Sequence, residues 1–381
     1  TDYVCGFISQ NGSGNTFDSC SSQATTALAA NEFTSGILLG GESNSTITNC
    51  HVIGTQGTAN TCGIYLETNR GIKNNLNSIA TTTTTVANGA LSVDWLQYSK
   101  NYLAVGSAAN SHIDIPSMAT VFEFTGSTLD TVATITAPLN IVNAVSWRRN
   151  GTPHYLATGG VGFVPAPRNA LSVYQFSGSA LDYVTSATAL AMNPLSVDWF
   201  DGTNYLAAGS IATNEVRVYH FTGSNLDLVA TVTTPGWDQA LSVACLVDGT
   251  QKYIAVGGAS GSTPTPNVVT RIYEFTGTNI EYRAQITAPA TDQVWGVAWL
   301  ADGGTNYLAT CGLANLEPVN KESIKTYTFT GSTLTPLATP ASSGNNWPLS
   351  VAWFTDGASK YLAVGESAGT GATKTELMKI F

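Results

Sequence analysis

His51, His112, His154 and His220 are the side chains from which a catalytic or metal centre would first be drawn, and they stand far apart in the chain. Neither a metal cage nor a Ser/His/Asp triad is suggested by their positions. The cysteines at 5, 20, 50, 62, 245 and 311 contain no CxxC pair, so their spacing argues against zinc. Asp-Gly pairs recur at Asp201, Asp248, Asp302 and Asp356. Each offers one carboxylate without the further oxygen ligands that calcium takes, and Asp-Gly is itself a hairpin-turn signal. The chain is therefore read as a non-enzyme without metal or cofactor.

Binding chemistry is better represented. Trp237 and Trp347 lie in the connections PGWDQA and SSGNNWP, beside Asp238, Gln239, Asn345 and Asn346. An indole flanked by amides and a carboxylate can hold a sugar ring or a partner protein, and His112 lies in a third such loop, SAANSHIDIPSMA. The alternative is that both indoles simply cover the ends of the strands around them. Which reading holds depends on the elements that carry these loops.

Those elements repeat. From residue 91 onward one phrase recurs six times: LSVDWLQYSKNYLAVGS, AVSWRRNGTPHYLATGG, LSVDWFDGTNYLAAGS, LSVACLVDGTQKYIAVGG, WGVAWLADGGTNYLATCG and LSVAWFTDGASKYLAVGE. Its anchors are Trp95, Trp147, Trp199, Cys245, Trp299 and Trp353. Their period, roughly 50 residues, is in the range of propeller blades rather than of helical repeats. Two apolar runs flanking a turn predict a hairpin. After a variable loop, TVFEFTG, SVYQFSG, RVYHFTG, RIYEFTG and KTYTFTG alternate apolar and polar residues, which predicts a third strand closed by a tight Gly turn. A fourth run follows, beginning at Leu129, Leu181, Leu226, Ile280 and Leu334, and the distance from each of these to the next anchor is nearly constant.

Leu76 stands at that same distance before Trp95, which makes the threonine run 81–85 a strand rather than a linker. The last copy stops at ELMKIF, its third strand. Residues 76–86 are accordingly expected to supply the missing fourth strand and close a ring of six four-stranded blades, covering the open edge. SVAWFTDGASKYLAVGE and VRVYHF resemble the WD40-type repeat over residues 76–381. That resemblance implies an all-β propeller, although the Gly-His and Trp-Asp pairs of the family are absent. It also implies an intracellular scaffold as one role. A six-bladed sialidase is excluded, because its S-x-D-x-G-x-T-W boxes are missing and the arginines are dispersed.

Residues 1–75 differ in texture. CGFISQ, SGILLGG and TCGIYLE recur, with Gly6, Gly36 and Gly63 at similar intervals. They resemble about three coils of a right-handed parallel β-helix of the pectate-lyase-like kind. Cys20 and Cys50 would stack in neighbouring coils, as a thiol ladder or a disulfide. No repeated carboxylate pair accompanies them, so a polysaccharide lyase site is not expected. The domain boundary is placed near residue 75.

Only 10% of residues are charged and the net charge is -10, which disfavours nucleic acid. No apolar run is long enough to span a membrane. TDYVCGF shows no signal peptide and suggests a processed or longer protein. Asn11, Asn44 and Asn150 head N-x-S/T triplets. The low charge and the Thr/Ser/Asn-rich surface, together with a resemblance to bacterial surface proteins that join these two modules, lead to three expectations. The first is an extracellular or cell-surface structural or adhesive protein that associates with itself or with other surface proteins. The second is a carbohydrate-binding or carbohydrate-processing protein using Trp237, Asp238, Asn346, Trp347 and His112. The third is the intracellular WD40-type scaffold.

Overall fold

The computed structural model describes residues 8–10, 16–18, 21–23, 38–40, 46–48, 51–53, 63–64, 90–97, 99–107, 118–136, 141–149, 151–161, 171–187, 193–210, 214–235, 239–259, 267–288, 293–314, 321–337, 346–356, 359–368 and 376–380. All regular structure among them is β-strand. Seven short strands come first: β1 (Ile8–Gln10), β2 (Thr16–Asp18), β3 (Ser21–Gln23), β4 (Leu38–Gly40), β5 (Thr46–Thr48), β6 (His51–Ile53) and β7 (Gly63–Ile64).

Six antiparallel units follow in chain order. The first holds β8 (Ala90–Gln97), β9 (Asn101–Ser107), β10 (Met118–Phe124) and β11 (Leu129–Thr136). The second holds β12 (Ile141–Arg148), β13 (His154–Val161), β14 (Leu171–Phe176) and β15 (Leu181–Ser186). The third holds β16 (Pro194–Trp199), β17 (Tyr205–Ser210), β18 (Glu215–Phe221) and β19 (Leu226–Thr233). Next come β20 (Gln239–Asp248), β21 (Gln251–Ala259), β22 (Asn267–Phe275) and β23 (Ile280–Ala288), then β24 (Gln293–Asp302), β25 (Thr305–Ala314), β26 (Lys321–Phe329) and β27 (Leu334–Pro336). The sixth unit holds β28 (Asn346–Asp356), β29 (Ser359–Ala368) and β30 (Glu376–Ile380).

Each unit is a meander whose turns follow from its sequence. The third-to-fourth connections close on Gly126, Gly178, Gly223, Gly277 and Gly331, all at positive φ, where a side chain would be strained. Every first strand carries a bulge in its pairing with the second, at Ala90/Ser92, Val142/Ala144, Pro194/Ser196, Ala240/Ser242, Val294/Gly296 and Pro348/Ser350. The bulge bends the strand and re-aims the residues after it. Those residues are the Ser-x-Asp or its equivalents, and they reach the next unit.

The core lies between units. One apolar cluster joins the first and second units around Trp147, and others join second to third around Trp199, third to fourth around Phe200 and Ile254, fourth to fifth around Leu308, and fifth to sixth around Leu362 and Val364. Closeness is set by glycine on the second strand. A Cβ on Gly106, Gly159, Gly209 or Gly257 would lie 2.7–3.0 Å from a valine Cγ1 of the next unit. In the fifth unit Cys311 stands at this place, and Gly296 beside it is the small residue instead. Gly257→Ala would press on Val294 Cγ1 at 2.7 Å and on its carbonyl at 2.9 Å. Because backbone is part of the obstacle, a loss of about 1–3 kcal/mol is expected in denaturant unfolding; unchanged stability would show that the two sheets can separate freely.

The N-terminal strands pair in parallel: β1 with β4, β2 with β5 and β3 with β6. All three registers share one offset, as in Ile8↔Leu38, Thr16↔Thr46 and Ser21↔His51. Gly63–Ile64, placed in a third coil by the sequence reading, instead pairs in parallel with Leu377 and Met378 of β30. The described fourth strand of the sixth unit is therefore β7, where residues 76–86 are expected from sequence; the threonines lie outside the described residues.

Candidate functional site

The side chains assembled most closely are those at the joints between units. A first strand has one edge without a neighbouring strand, so alternate N–H groups on that edge need acceptors. The preceding unit supplies them. Ser92 Oγ accepts from Val145 N–H at 3.1 Å, Ser196 Oγ from Val243 N–H at 3.0 Å, and Ser242 Oγ from Val297 N–H at 3.2 Å. Asp94 Oδ2 accepts from Trp147 N–H at 2.6 Å and Asp198 Oδ2 from Cys245 N–H at 2.7 Å. The anchor indoles complete the joint: Trp199, Trp299 and Trp353 donate to the carbonyls of Ser146, Ala244 and Ala298 in the preceding units.

Around the first three units these joints carry charge. Arg149 binds Asp94 and lies 3.7 Å from Asp201, while Asp198 also accepts from Ser146 Oγ at 3.2 Å. Burial pushes the Asp198 carboxyl up to about 7; the Cys245 N–H opposes this and the Asp94 charge adds to it. Asp94 is raised by burial as well, against the pull of Arg149. The Cys245 thiol is held well above its ordinary value, first by burial and then by the Asp198 and Asp201 charges. Such a thiol is protonated and a poor nucleophile or ligand. The cluster is a structural lock in its chemistry, with no group poised to attack a substrate.

The Asp-Gly turns serve the same end. Asn306 Nδ2 donates to Asp248 at 2.7 Å, and Lys360 pairs with Asp302 at 2.6 Å. Arg148 reaches the turn of the third unit through Asn204 Oδ1 at 2.5 Å. Each bond ties a unit to its neighbour's hairpin, so one rim is uniform and knitted together. No grouping of His, Cys, Asp and Glu suited to a metal occurs among the described residues.

Of the binding residues expected from sequence, His112, Trp237 and Asp238 lie outside the described residues. Asn346 and Trp347 open β28, paired with Ala368 and Ser367, at the rim opposite the Asp-Gly turns. The serines and aspartates of the joints are not singled out by the sequence reading, although the alternation in LSVDW, with polar residues between apolar ones on a first strand, is the signal. Of the histidines, His51, His154 and His220 fall in strands, and the Tyr205 ring packs on His220 at 5.1 Å. Cys245 and Cys311 are in no disulfide with each other; the other four cysteines lie outside the described residues.

No protein-family model matches the chain, and no curated protein matches it. Among solved structures, the WD40 repeats of RRP9 superpose with a TM-score of 0.50 at 12% identity, over 74% of this chain and 75% of that one. The structure of U3-55K matches with the same score and identity, over 74% and 76%. The expected extracellular or cell-surface location is corrected here: the structures found point away from it. At such identity the likeness concerns the fold alone. Together with the six antiparallel units, it fits a WD40-like β-propeller.

Proposed function

We propose that this chain is a non-enzymatic protein–protein interaction platform of the WD40 scaffold kind, with the partner held on the rim that carries the second-to-third connections. The observation behind this reading is the contrast between the two rims. One is fixed by the turn-to-neighbour bonds of Asp248 and Asp302. The other carries loops of unlike length and sequence, including SAANSHIDIPSMA, GVGFVPAPRNA and GLANLEPVNKES. Individual loops on a rigid frame are where recognition residues concentrate. His112, Trp237, Asp238, Asn346 and Trp347 are the proposed contact residues. The N-terminal strands, with their constant register offset, are read as coils of a parallel β-helix set against the last blade.

A photo-cross-linking residue at position 237 tests this in native extract. One dominant protein adduct, absent when the same residue is placed at Asp201 on the opposite rim and lost on Trp347→Ala, is the expected result. Equal labelling from both rims would contradict it, as would a glycan ligand whose binding is abolished by Trp237→Ala.

A further inference from the structure

The five third-to-fourth turns read TGST, SGSA, TGSN, TGTN and TGST, starting at Thr125, Ser177, Thr222, Thr276 and Thr330. In each, the N–H of the first residue donates to the carbonyl of the fourth at 3.0–3.1 Å. In four of them the first hydroxyl also serves the turn, accepting the N–H of Thr128, Ala180, Asn225 and Asn279 at 3.2, 3.1, 3.0 and 3.1 Å. The second hydroxyl, after the glycine, lies at the exposed tip: Ser127, Ser179, Ser224, Thr278 and Ser332. A Cβ on Gly126, Gly223 or Gly277 would meet nothing within 4 Å, so these tips stand clear of the neighbouring units on that side. Three residues beyond the tip comes a carboxylate: Asp130 after Ser127, Asp182 after Ser179, Asp227 after Ser224 and Glu281 after Thr278, all exposed. The fifth turn has Thr335 at that place and forms the same backbone bond. The carboxylate is therefore no part of the turn's construction.

We propose that Ser127, Ser179, Ser224 and Thr278 are phosphate acceptors for a serine/threonine kinase whose substrate groove is basic where it meets the third residue after the acceptor. Such a kinase discriminates by charge pattern, and the acid at that offset supplies the opposite sign. In the transfer the tip oxygen bonds to the γ-phosphorus of Mg·ATP, the bond to the β,γ-bridging oxygen breaks, ADP leaves, and the hydroxyl proton passes to the kinase's catalytic carboxylate. The four sites are not equal. Asp130 accepts from Thr128 Oγ1 at 3.1 Å and Glu281 pairs with Arg283 at 2.8 Å. Asp182 and Asp227 have no such partner among the described residues, which makes Ser179 and Ser224 the faster acceptors. Thr120 and Glu123 stand at the same offset, but Thr120 is buried in β10 and stays unmodified in the folded protein. All four tips lie on the rim of the Asp-Gly turns. Four phosphates there would take the net charge from -10 to roughly -16 to -18.

The test incubates the folded chain with Mg·ATP and a purified acid-directed serine/threonine kinase, and measures phosphate at each tip by mass spectrometry. Incorporation at Ser179 and Ser224 is expected to exceed that at Ser332 by at least about tenfold, with Ser127 and Thr278 in between and Thr120 unmodified. Asp182→Asn should slow Ser179 by about tenfold and leave Ser127, Ser224 and Thr278 unchanged, a selectivity that misfolding would not produce. Thr335→Asp should turn Ser332 into an acceptor. Phosphate on Ser332 of the parent at the rate of Ser179 would overturn the assignment. So would an Asp182→Asn variant that is modified at Ser179 as fast as the parent, or tips left unmodified in the folded protein.

Discussion

Trp199→Ala is expected to destabilise the fold by about 3–5 kcal/mol. The indole is 2% exposed, sits edge-on to Phe221 at 5.9 Å, and donates to the Ser146 carbonyl across the joint at 3.1 Å. Truncation removes apolar volume that the two sheets cannot refill without sliding past the Gly159 contact. It also removes the hydrogen bond across the joint. The loss should appear in urea unfolding as a lower midpoint. A change below about 1 kcal/mol would mean that the anchor is not the joint's main packing element.

The second large effect concerns Asp198, and its sign depends on pH. Asp198→Ala leaves the Cys245 N–H without its acceptor at 2.7 Å, and a loss of about 1–3 kcal/mol is expected. Asp198→Asn keeps an acceptor and removes the charge. Because burial raises the folded carboxyl from 3.8 to about 7, the folded state holds a proton that the unfolded chain has lost over that window. This group's contribution therefore falls as pH rises from about 4 to about 7, and is flat above, with a slope no steeper than about 1.4 kcal/mol per pH unit. Asp94 and Arg149 face the same joint, and Asp94, also raised, adds a slope of the same sign. Unfolding followed from pH 4 to pH 8 should give a shallower decline for Asp198→Asn than for the parent, and an advantage for the variant near pH 8. A parallel decline in both proteins would show that Asp198 is ionised throughout.

Much of this fold is legible because the repeat writes it six times. The anchors at 95, 147, 199, 245, 299 and 353 locate every first strand, and the Gly turns at 126, 178, 223, 277 and 331 close every third-to-fourth hairpin. What a single phrase does not show is where its polar residues point. Ser92 and Asp94 could face solvent on an alternating strand; the bulge at Ala90/Ser92 turns them toward the next unit. The Asp-Gly pairs at 201, 248 and 302 do form hairpins, but their carboxylates also tether neighbouring units, a role that turn chemistry does not signal. Closure is the least legible feature, since it depends on which edge meets which: Gly63–Ile64 lies on β30, in the place expected for residues 76–86. The location inferred from a hydroxyl-rich, low-charge surface is corrected as well. Such composition describes solvation, and a compartment does not follow from it.

Hydrogen exchange along the intact chain, followed by mass spectrometry, tests most directly the claim that the first, third and fourth units cap the open edge of the next. The peptides carrying Val145 and Trp147, Val243 and Cys245, and Val297 should be as protected as the central strands β13, β21 and β25, and Ser242→Ala should release Val297 alone. Rapid exchange of these first strands in the parent protein, at the rate of uncapped sheet edges, would contradict the interlock and with it the rigid platform on which the proposed function depends.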